Sequence, residues 1–572
     1  MNTSKIKDNV TNKVNAFKTF LSNNKHKQDI LFVVQNVPAY ICDIIESCKE
    51  FCDNSSLSKQ QKFVIITYLM QYYSMYEFLK KTCMSEKDKD VCFQVTECVT
   101  KQFLNVCGDV EPLFQENCDN TVGSFIKLMD MVLDTIIEID VKKGVPYAQS
   151  NLNASGVLVE EILCFSMSIA QVSSSEDCKI ITASCQVVLH NLDNLKDELG
   201  HKEVNLAMCN LLAETYTNSL CALEAKVNLV VLNLCLKAFS DYRSHVIKLY
   251  NACLEITNKT ALDFVISNFD LYMDRLFQIG LFSLACSNIN KRSAEIRIIL
   301  TNLQFLEQEL VPAFMLITTS SLKYRKTYAN VLKKFWCLQV KNLRATVHNI
   351  IEPEAYCKLV YEELYQNVES IWNHISKGEV VQKDMVEPFI NYTNELGKMI
   401  RACSHCFDNN VKEEVTKVLP ILHNVVQELD VTTNVFLNET LNSSNIKSVN
   451  DKIFKRCKVL VKTIKHLWTC IKTDEDESKD SFEDSQTYTK EDDRLKSILA
   501  KSRHTAKDRS ICVTFNLGTK LNFTKNISRV AQSKRRLKFR DSSTDNDKIE
   551  NSFLDVQRSF HTIASINEDL SS

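Results

Sequence analysis

Residues 173–200 read SSSEDCKIITASCQVVLHNLDNLKDELG, and the spacing of their apolar side chains decides the fold class. These side chains recur three and four positions apart, at Cys178, Ile181, Cys185, Val188, Leu192, Leu195 and Leu199. Such spacing lines one side of an α-helix and predicts a helix that packs in a bundle. Ser173 with Glu176 predicts a capping box at its start, and Gly200 predicts its end.

The same spacing occurs in other parts of the chain. One stripe comprises Ile65, Leu69, Tyr72, Tyr76, Leu79 and Cys83. Another comprises Ile296, Ile299, Leu303, Leu306 and Leu310, and the sequence predicts that this helix ends at Val311-Pro312. Stripes of this kind are typical of core-facing seams between helices.

Glycine and proline are scarce, with 9 Gly and 7 Pro among 572 residues. Average usage would give about 40 and about 29. β-Sandwiches, barrels and Rossmann-type domains need these residues at their many reversals, so those folds are nearly excluded. We therefore predict an all-α fold of tandem antiparallel helical bundles joined by long connecting helices.

The few glycines and prolines also suggest where the bundles divide. We predict an N-terminal bundle over 1–145, a central bundle over 146–312 and a C-terminal bundle over 313–472. No Gly or Pro occurs between Gly200 and Gly280, so we predict a long connecting helix at about 201–279.

The composition changes after Lys472. Residues 473–493 carry ten acidic side chains and two lysines, a net charge of -8. Residues 494–540 carry fourteen Lys and Arg against one Asp, a net charge of +13, although the whole chain has a net charge of only -2. A charged tail of this kind buries too little apolar surface to fold, so we predict that 473–572 is disordered.

The sequence offers few signs of targeting or of catalysis. The first residues, MNTSKIKDNVTNKVNAF, lack the apolar stretch of a secretory signal, and no window reaches about 18 uninterrupted apolar residues. We therefore expect a cytoplasmic chain whose 23 cysteines are free thiols. Phosphate-binding loops and the common hydrolase motifs do not occur, so we predict no enzyme activity, no cofactor and no small-molecule substrate.

The only CxxC sequence is Cys403-Ser404-His405-Cys406. A tetrahedral zinc site needs further ligands at short spacing, and no second CxxC or HxxxH supplies them. We predict instead that the two cysteines lie on a helix as core or half-buried thiols.

A basic helix face follows Asn450-Asp451. Its apolar side comprises Ile453, Cys457, Leu460, Ile464, Leu467 and Ile471, and its other side carries Lys455, Lys458, Lys462 and Lys465. The lysines either form the solvated outer face of the last bundle helix or bind an acidic partner, such as an actin filament or an anionic membrane leaflet.

A second basic cluster lies in the tail and comprises Lys534, Arg535, Arg536, Lys538 and Arg540. It can bind anionic lipid, serve as a nuclear address or bind nucleic acid without sequence preference. The alternative function for this chain is therefore a nuclear or nucleic-acid-associated helical scaffold.

Two blocks resemble the vinculin/α-catenin superfamily. They are VEEILCFSMSIAQVSSSEDCKIITASCQVVLHNLDNLKDEL, Val159 to Leu199, and LYMDRLFQIGLFSLACSNINKRSAEIRIILTNLQFLEQELVPA, Leu271 to Ala313. The resemblance is strongest to an insect branch of the superfamily. It implies a rod of helical bundles in a non-enzymatic cytoskeletal adaptor.

The same resemblance implies a place and partners. The protein would lie in the cytoplasm and at the cytoplasmic face of invaginating plasma membrane, where it organises actin during cellularisation of the syncytial embryo. Its implied partners are actin filaments or actin-associated proteins, the inner face of the plasma membrane and catenin-type adhesion proteins.

Overall fold

Helices make up nearly all of the described chain. The computed structural model describes residues 3–24, 30–54, 59–110, 125–137, 144–255, 259–287, 290–319, 323–437 and 443–472. Within these ranges there are sixteen α-helices and no strand, which confirms the predicted all-α class. The predicted disordered tail, 473–572, lies outside the described residues.

The first four helices form one bundle. They are α1 (Thr3–Asn24), α2 (Ile30–Asn54), α3 (Lys59–Ser85) and α4 (Lys89–Val110). Each contacts its neighbours in the chain, and α1 also contacts α4. Phe17, Tyr72 and Phe103 pack together in the bundle core with ring centroids 5.6–5.9 Å apart. Aromatic packing therefore stabilises the centre of this bundle.

The next four helices form a second bundle. They are α5 (Phe125–Ile137), α6 (Val145–Val172), α7 (Ser175–Gly200) and α8 (Leu206–Ser240), and α5 and α8 close the group. The predicted boundary at 145/146 separates α5 from α6, although these two helices pack together.

Helix α7 contains the stretch on which the fold prediction rests. Six of its seven predicted seam residues are buried, and Cys178 is half-buried. The cap differs by one residue, because Ser174 rather than Ser173 is the N-cap and its Oγ accepts a hydrogen bond from the Asp177 N–H at 3.1 Å. Gly200 is the last helical residue, as predicted.

A third bundle follows, with α9 (Tyr242–Leu254), α10 (Lys259–Cys286), α11 (Asn290–Thr319) and α12 (Lys323–His348) in mutual contact. The prediction that a helix ends at Pro312 is wrong, because α11 continues through it to Thr319. Leu310, Ala313 and Phe314 are buried around the proline, and this packing holds the helix together despite one missing N–H. The predicted boundary at 312/313 therefore falls inside a helix.

The prediction of one helix over about 201–279 is also wrong, because α8, α9 and α10 divide that stretch. Asp241 has a non-helical backbone, and its carbonyl accepts hydrogen bonds from the Ser244 N–H and hydroxyl. The hydroxyls of Ser240 and Ser244 donate to the carbonyls of Lys237 and Asp241, so they offer the backbone alternative partners and a helix ends here without Gly or Pro. The long helix that remains is α8, with 35 residues.

The last four helices form a fourth bundle. They are α13 (Pro353–Ser376), α14 (Lys383–Ala402), α15 (Asn409–Leu437) and α16 (Ser443–Ile471). Each contacts the next, and α13 contacts α16. Helix α8 also contacts α13 and α14, so it packs in two bundles and serves as a connecting helix. The division of the chain into independently folding domains stays a prediction.

A buried carboxylate lies where the third and fourth bundles meet. The Glu395 side chain on α14 is 0% exposed, and its Oε2 lies 3.4 Å from Arg344 Nη1 of α12 and 3.3 Å from Lys398 Nζ. Its Oε1 lies 3.2 Å from His348 Nε2, at the end of α12. We call Glu395, Arg344, His348 and Lys398 the junction cluster.

Aromatic rings surround the junction cluster. The His348 ring lies edge-on to Phe239 of α8 and beside Tyr356 of α13, and the Arg344 guanidinium lies over Tyr242 of α9. Burial, and next the charge of Glu395, hold the pKa of the Tyr356 phenol well above its ordinary value. Five helices therefore converge on one buried charge.

Two described helices, α6 and α8, are long and apolar enough to cross a membrane by length and composition alone. Their most apolar windows are 56% and 67% buried against the rest of the structure. Such burial is what core helices of a bundle show, and it accounts for their apolar character without a membrane.

Gly280 provides a test of the packing between α10 and α11. A Cβ at this position would lie 2.5 Å from Leu300 Cδ2. Overpacking typically destabilises by about 1–3 kcal/mol, and the better helix propensity of Ala offsets about 1 kcal/mol of that. We expect Gly280→Ala to lower the midpoint of thermal unfolding.

Gly108→Ala is the matched control, because nothing lies within 4 Å of its added Cβ. It should leave the midpoint unchanged or raise it. Leu300→Val should reduce the effect of Gly280→Ala by coupling to it, and equal effects of the two Gly→Ala changes would contradict the close approach.

Glu395→Gln tests the junction cluster. Removing one partner of a buried ionic group typically costs about 3–5 kcal/mol, because Arg344 stays largely buried without a counter-charge. We expect a large loss of stability in denaturant unfolding. Lys398→Met should cost far less because the Lys398 side chain is 43% exposed. Similar losses for the two variants would show that the cluster is not a buried ionic core.

Candidate functional site

The basic helix predicted after Asn450 is α16, and its apolar side packs into the fourth bundle. Ile453, Cys457 and Leu460 are buried, and so are Ile464, Leu467 and Ile471 further along the helix. Helices α13 and α15 cover this side. The predicted seam is therefore confirmed, and it fixes which side of α16 remains outside.

The four predicted lysines lie on that outer side. Lys455, Lys458, Lys462 and Lys465 are all exposed. In the described part of the chain no carboxylate comes within ion-pair distance of these side chains. Their exposure fits both alternatives for this helix, so a role in binding a partner stays a prediction.

Helix α13 adds aromatic side chains that the sequence analysis missed. Tyr361, Tyr365, Val368 and Trp372 recur four, three and four positions apart, so they share one side of α13. This spacing could have revealed the aromatic stripe from the sequence alone. Trp372 is 53% exposed and Tyr365 is 49% exposed, whereas aromatic rings of a core are buried.

The aromatic rings of α13 and α16 meet across the two helices. The Tyr361 ring stacks on Trp468 with centroids 5.8 Å apart, and Trp372 stacks on Phe454 at 5.2 Å. Tyr365 lies 6.0 Å from Tyr361. Two stacked pairs, one toward each end, thus connect the helices along their outer side.

Lysine ammonium groups lie over these rings. Lys458 Nζ is 5.3 Å from the Phe454 centroid, Lys465 Nζ is 5.9 Å from Tyr361, and Lys358 Nζ of α13 is 5.8 Å from Trp468. Exposed cation–π contacts contribute about 0.5–1 kcal/mol each. They hold the ammonium groups beside apolar surface, where a partner would meet both.

We call this surface the α13/α16 face. It comprises Lys358, Tyr361, Tyr365, Trp372, Phe454, Lys455, Lys458, Lys462, Lys465 and Trp468. Exposed carboxylates on the same two helices are Asp451, Glu362 and Glu369. Chemically, the face can attract an anionic partner and pack aromatic rings against its apolar parts.

The CxxC residues do not lie on a regular helix. Ser404–Cys406 form a single 3-10 turn, with Cys403 buried before it and Cys406 exposed at its end. The Cys403 thiol donates to the His348 carbonyl at 3.0 Å, and burial raises the pKa of this thiol to about 12. Cys403 is thus a packing residue beside the junction cluster.

The basic cluster of the tail is the other predicted site. Lys534, Arg535, Arg536, Lys538 and Arg540 lie outside the described residues. Among the residues that are described, no group of three or more His, Cys, Asp or Glu side chains is placed to hold a metal ion.

Comparisons with known proteins agree with the fold. A family model described as the serendipity locus alpha protein (SRY-A) matches residues 106–570. The serendipity locus protein alpha of Drosophila virilis is 28% identical over 271 residues, 45% of this chain and 48% of that protein. The Drosophila pseudoobscura pseudoobscura protein is 25% identical over 267 residues, 44% and 46% of the two chains. The alignments span about half the length of these relatives.

A solved vinculin homolog from a sponge (phylum Porifera) has a similar structure. The similarity covers 82% of this chain and 59% of that chain, with a TM-score of 0.59 and 12% sequence identity. It is a likeness of fold, and it confirms the vinculin-type bundle architecture that the sequence resemblance implied.

The two cysteines of the CxxC sequence should differ in reactivity. We expect iodoacetamide at pH 8 to label Cys406 in the native chain and to leave Cys403 unlabelled, because a thiol with a pKa of about 12 contains little thiolate at that pH. Peptide mass spectrometry measures the labelling. Both should react after unfolding in guanidinium, and rapid native labelling of Cys403 would contradict its burial.

Proposed function

Because the chain belongs to the serendipity locus alpha protein family, we propose that it is a non-enzymatic cytoskeletal adaptor. It organises actin at the cytoplasmic face of invaginating plasma membrane, and it is needed for cellularisation of the syncytial blastoderm embryo. The family membership and the vinculin-type fold support this proposal.

The fold suits an adaptor. Four bundles present long, independent helix faces, and α8 packs in two of them, so partners can bind at separate places on one connected scaffold. The sponge vinculin homolog is reported to reveal vertebrate-like cell adhesions. By analogy, catenin-type adhesion proteins are further candidate partners.

The α13/α16 face is the observation that carries the proposal. Near an anionic leaflet each lysine contributes about 1 kcal/mol, and aromatic rings favour the membrane–water interface. Five exposed lysines with half-exposed Tyr365 and Trp372 combine both properties. An acidic filament surface can pair with the same lysines, so the face is suited to contact with a membrane or with actin.

Neutralising the face tests the proposal. We expect Lys455→Gln, Lys458→Gln, Lys462→Gln and Lys465→Gln together to weaken binding to anionic vesicles or to actin filaments at least tenfold at ~0.1 M salt, since four charges near the partner are lost. Co-sedimentation of the full chain, with vesicles and filaments in separate tubes, measures both.

The matched control changes Lys179, Lys202, Lys248 and Lys341 to Gln, four exposed lysines in other bundles. It alters the net charge equally and should leave binding within about twofold. If neither vesicles nor filaments pellet the unaltered chain, direct contact is excluded. Nuclear accumulation of the tagged chain in early embryos, in place of cortical signal at furrows, would contradict the proposal as a whole.

A further inference from the structure

We infer that the acidic segment 473–493 of this chain binds its own α13/α16 face and competes there with the anionic partner. The competition rests on the proposed function, whereas the docking itself does not. The charges, the reach of the segment and the exposed rings of the face each support the docking.

The charges of segment and face are complementary. The segment has a net charge of -8, and the face carries Lys358, Lys455, Lys458, Lys462 and Lys465. Within the described ranges no carboxylate pairs with these lysines, so their positive potential is available to an anionic chain. An isolated surface pair is weak, but several pairs on one connected segment add up.

The segment begins where the face ends. Helix α16 ends at Ile471, and the first acidic residue is Asp474. Lys455 lies about 26 Å back along the helix from Lys472 at 1.5 Å per residue. A chain of 21 residues can extend about 70 Å, so it reaches every lysine of the face.

This covalent connection makes weak docking effective. A short tether gives an effective concentration of about 1 mM. If the free segment bound the face with a Kd of about 0.1 mM, the tethered segment would cover it about 90% of the time, and the apparent affinity of a competitor would fall about tenfold. The acidic segment thus acts as a built-in competitor.

Aromatic residues add apolar complementarity. Phe482 and Tyr488 lie among the acidic residues of the segment. On the face, Tyr365 and Trp372 are each about half exposed. Rings from the segment can pack against these side chains while the carboxylates pair with the lysines.

Within the described residues, a groove between α14 and α15 with basic side chains is a competing site for the segment. Ile400, Phe407 and Leu419 line it together with Arg401, Lys412 and His423. It offers three basic groups where the α13/α16 face offers five lysines. The charges therefore favour the α13/α16 face.

Tryptophan fluorescence reports the docking directly. The chain has three tryptophans, of which Trp336 is buried in the third bundle while Trp372 and Trp468 belong to the α13/α16 face. Quenching by acrylamide, a neutral molecule, measures how accessible the face is. We expect Asp474→Asn, Glu475→Gln, Asp476→Asn and Glu477→Gln together to increase quenching in the full chain, because the weakened segment leaves the face.

Two further variants make the test specific. Asp193→Asn, Asp197→Asn, Glu203→Gln and Glu214→Gln change the net charge equally at exposed positions elsewhere and should leave quenching unchanged. The four Lys→Gln changes on α16 should increase quenching, since they remove the other half of the interaction. Circular dichroism verifies that each variant keeps its helices.

The outcomes separate the inference from the proposed function. Unchanged quenching in the acidic variant overturns the docking. An increase in the acidic variant without one in the α16 lysine variant also overturns it, because the segment then binds elsewhere, as in the groove between α14 and α15 or along the basic residues of 494–540. Increased quenching in both supports it, even if no vesicle or filament binds. Where the chain does bind vesicles or filaments, the acidic variant should bind about tenfold more tightly.

Discussion

The buried charge of Glu395 is the interaction on which the arrangement of the last two bundles depends. A carboxylate with no exposed surface is unfavourable unless cations stay beside it, and these are Arg344 of α12 and Lys398 of α14 itself, with the His348 ring nitrogen 3.2 Å away. A shift of α14 past α12 would separate Glu395 from Arg344 and leave both charges buried without a partner. The third and fourth bundles are therefore fixed in register at one point.

The fixed register also determines which side of α13 lies on the outside of the molecule. Phe239 and Tyr356 pack around His348, so α8 and α13 are oriented by the same cluster. With one side of α13 held there, and the buried seam of α16 packed inside the fourth bundle, the aromatic rings Tyr365 and Trp372 are left exposed. The α13/α16 face is therefore the outer side of two helices whose inner sides are buried in the fourth bundle.

Much of the fold could be predicted from the sequence. The physical reasons for the correct predictions also explain why other predictions were wrong. Apolar spacing identified the α7 and α16 seams because burial imposes a 3.6-residue period. Helix ends were less predictable: packing carries α11 through Pro312, while Ser240 and Asp241 end α8 without Gly or Pro. The α16 lysines could be placed on an outer side by periodicity alone. The partner helix α13 could not, because which two faces lie side by side is a property of tertiary structure.

Lysine serves two different purposes in this chain, and burial decides between them. Lys398 lies 3.3 Å from a carboxylate that is completely buried, so its charge sits beside an opposite charge of the protein itself. Three lysines of the α13/α16 face, Lys358, Lys458 and Lys465, lie over aromatic rings, which hold an ammonium group without neutralising it. Their charge remains available to whatever anionic surface or segment comes near. Sequence counts alone treat these lysines as equal, whereas the fold places Lys398 beside a buried carboxylate and leaves the lysines of the face exposed without one in the described ranges.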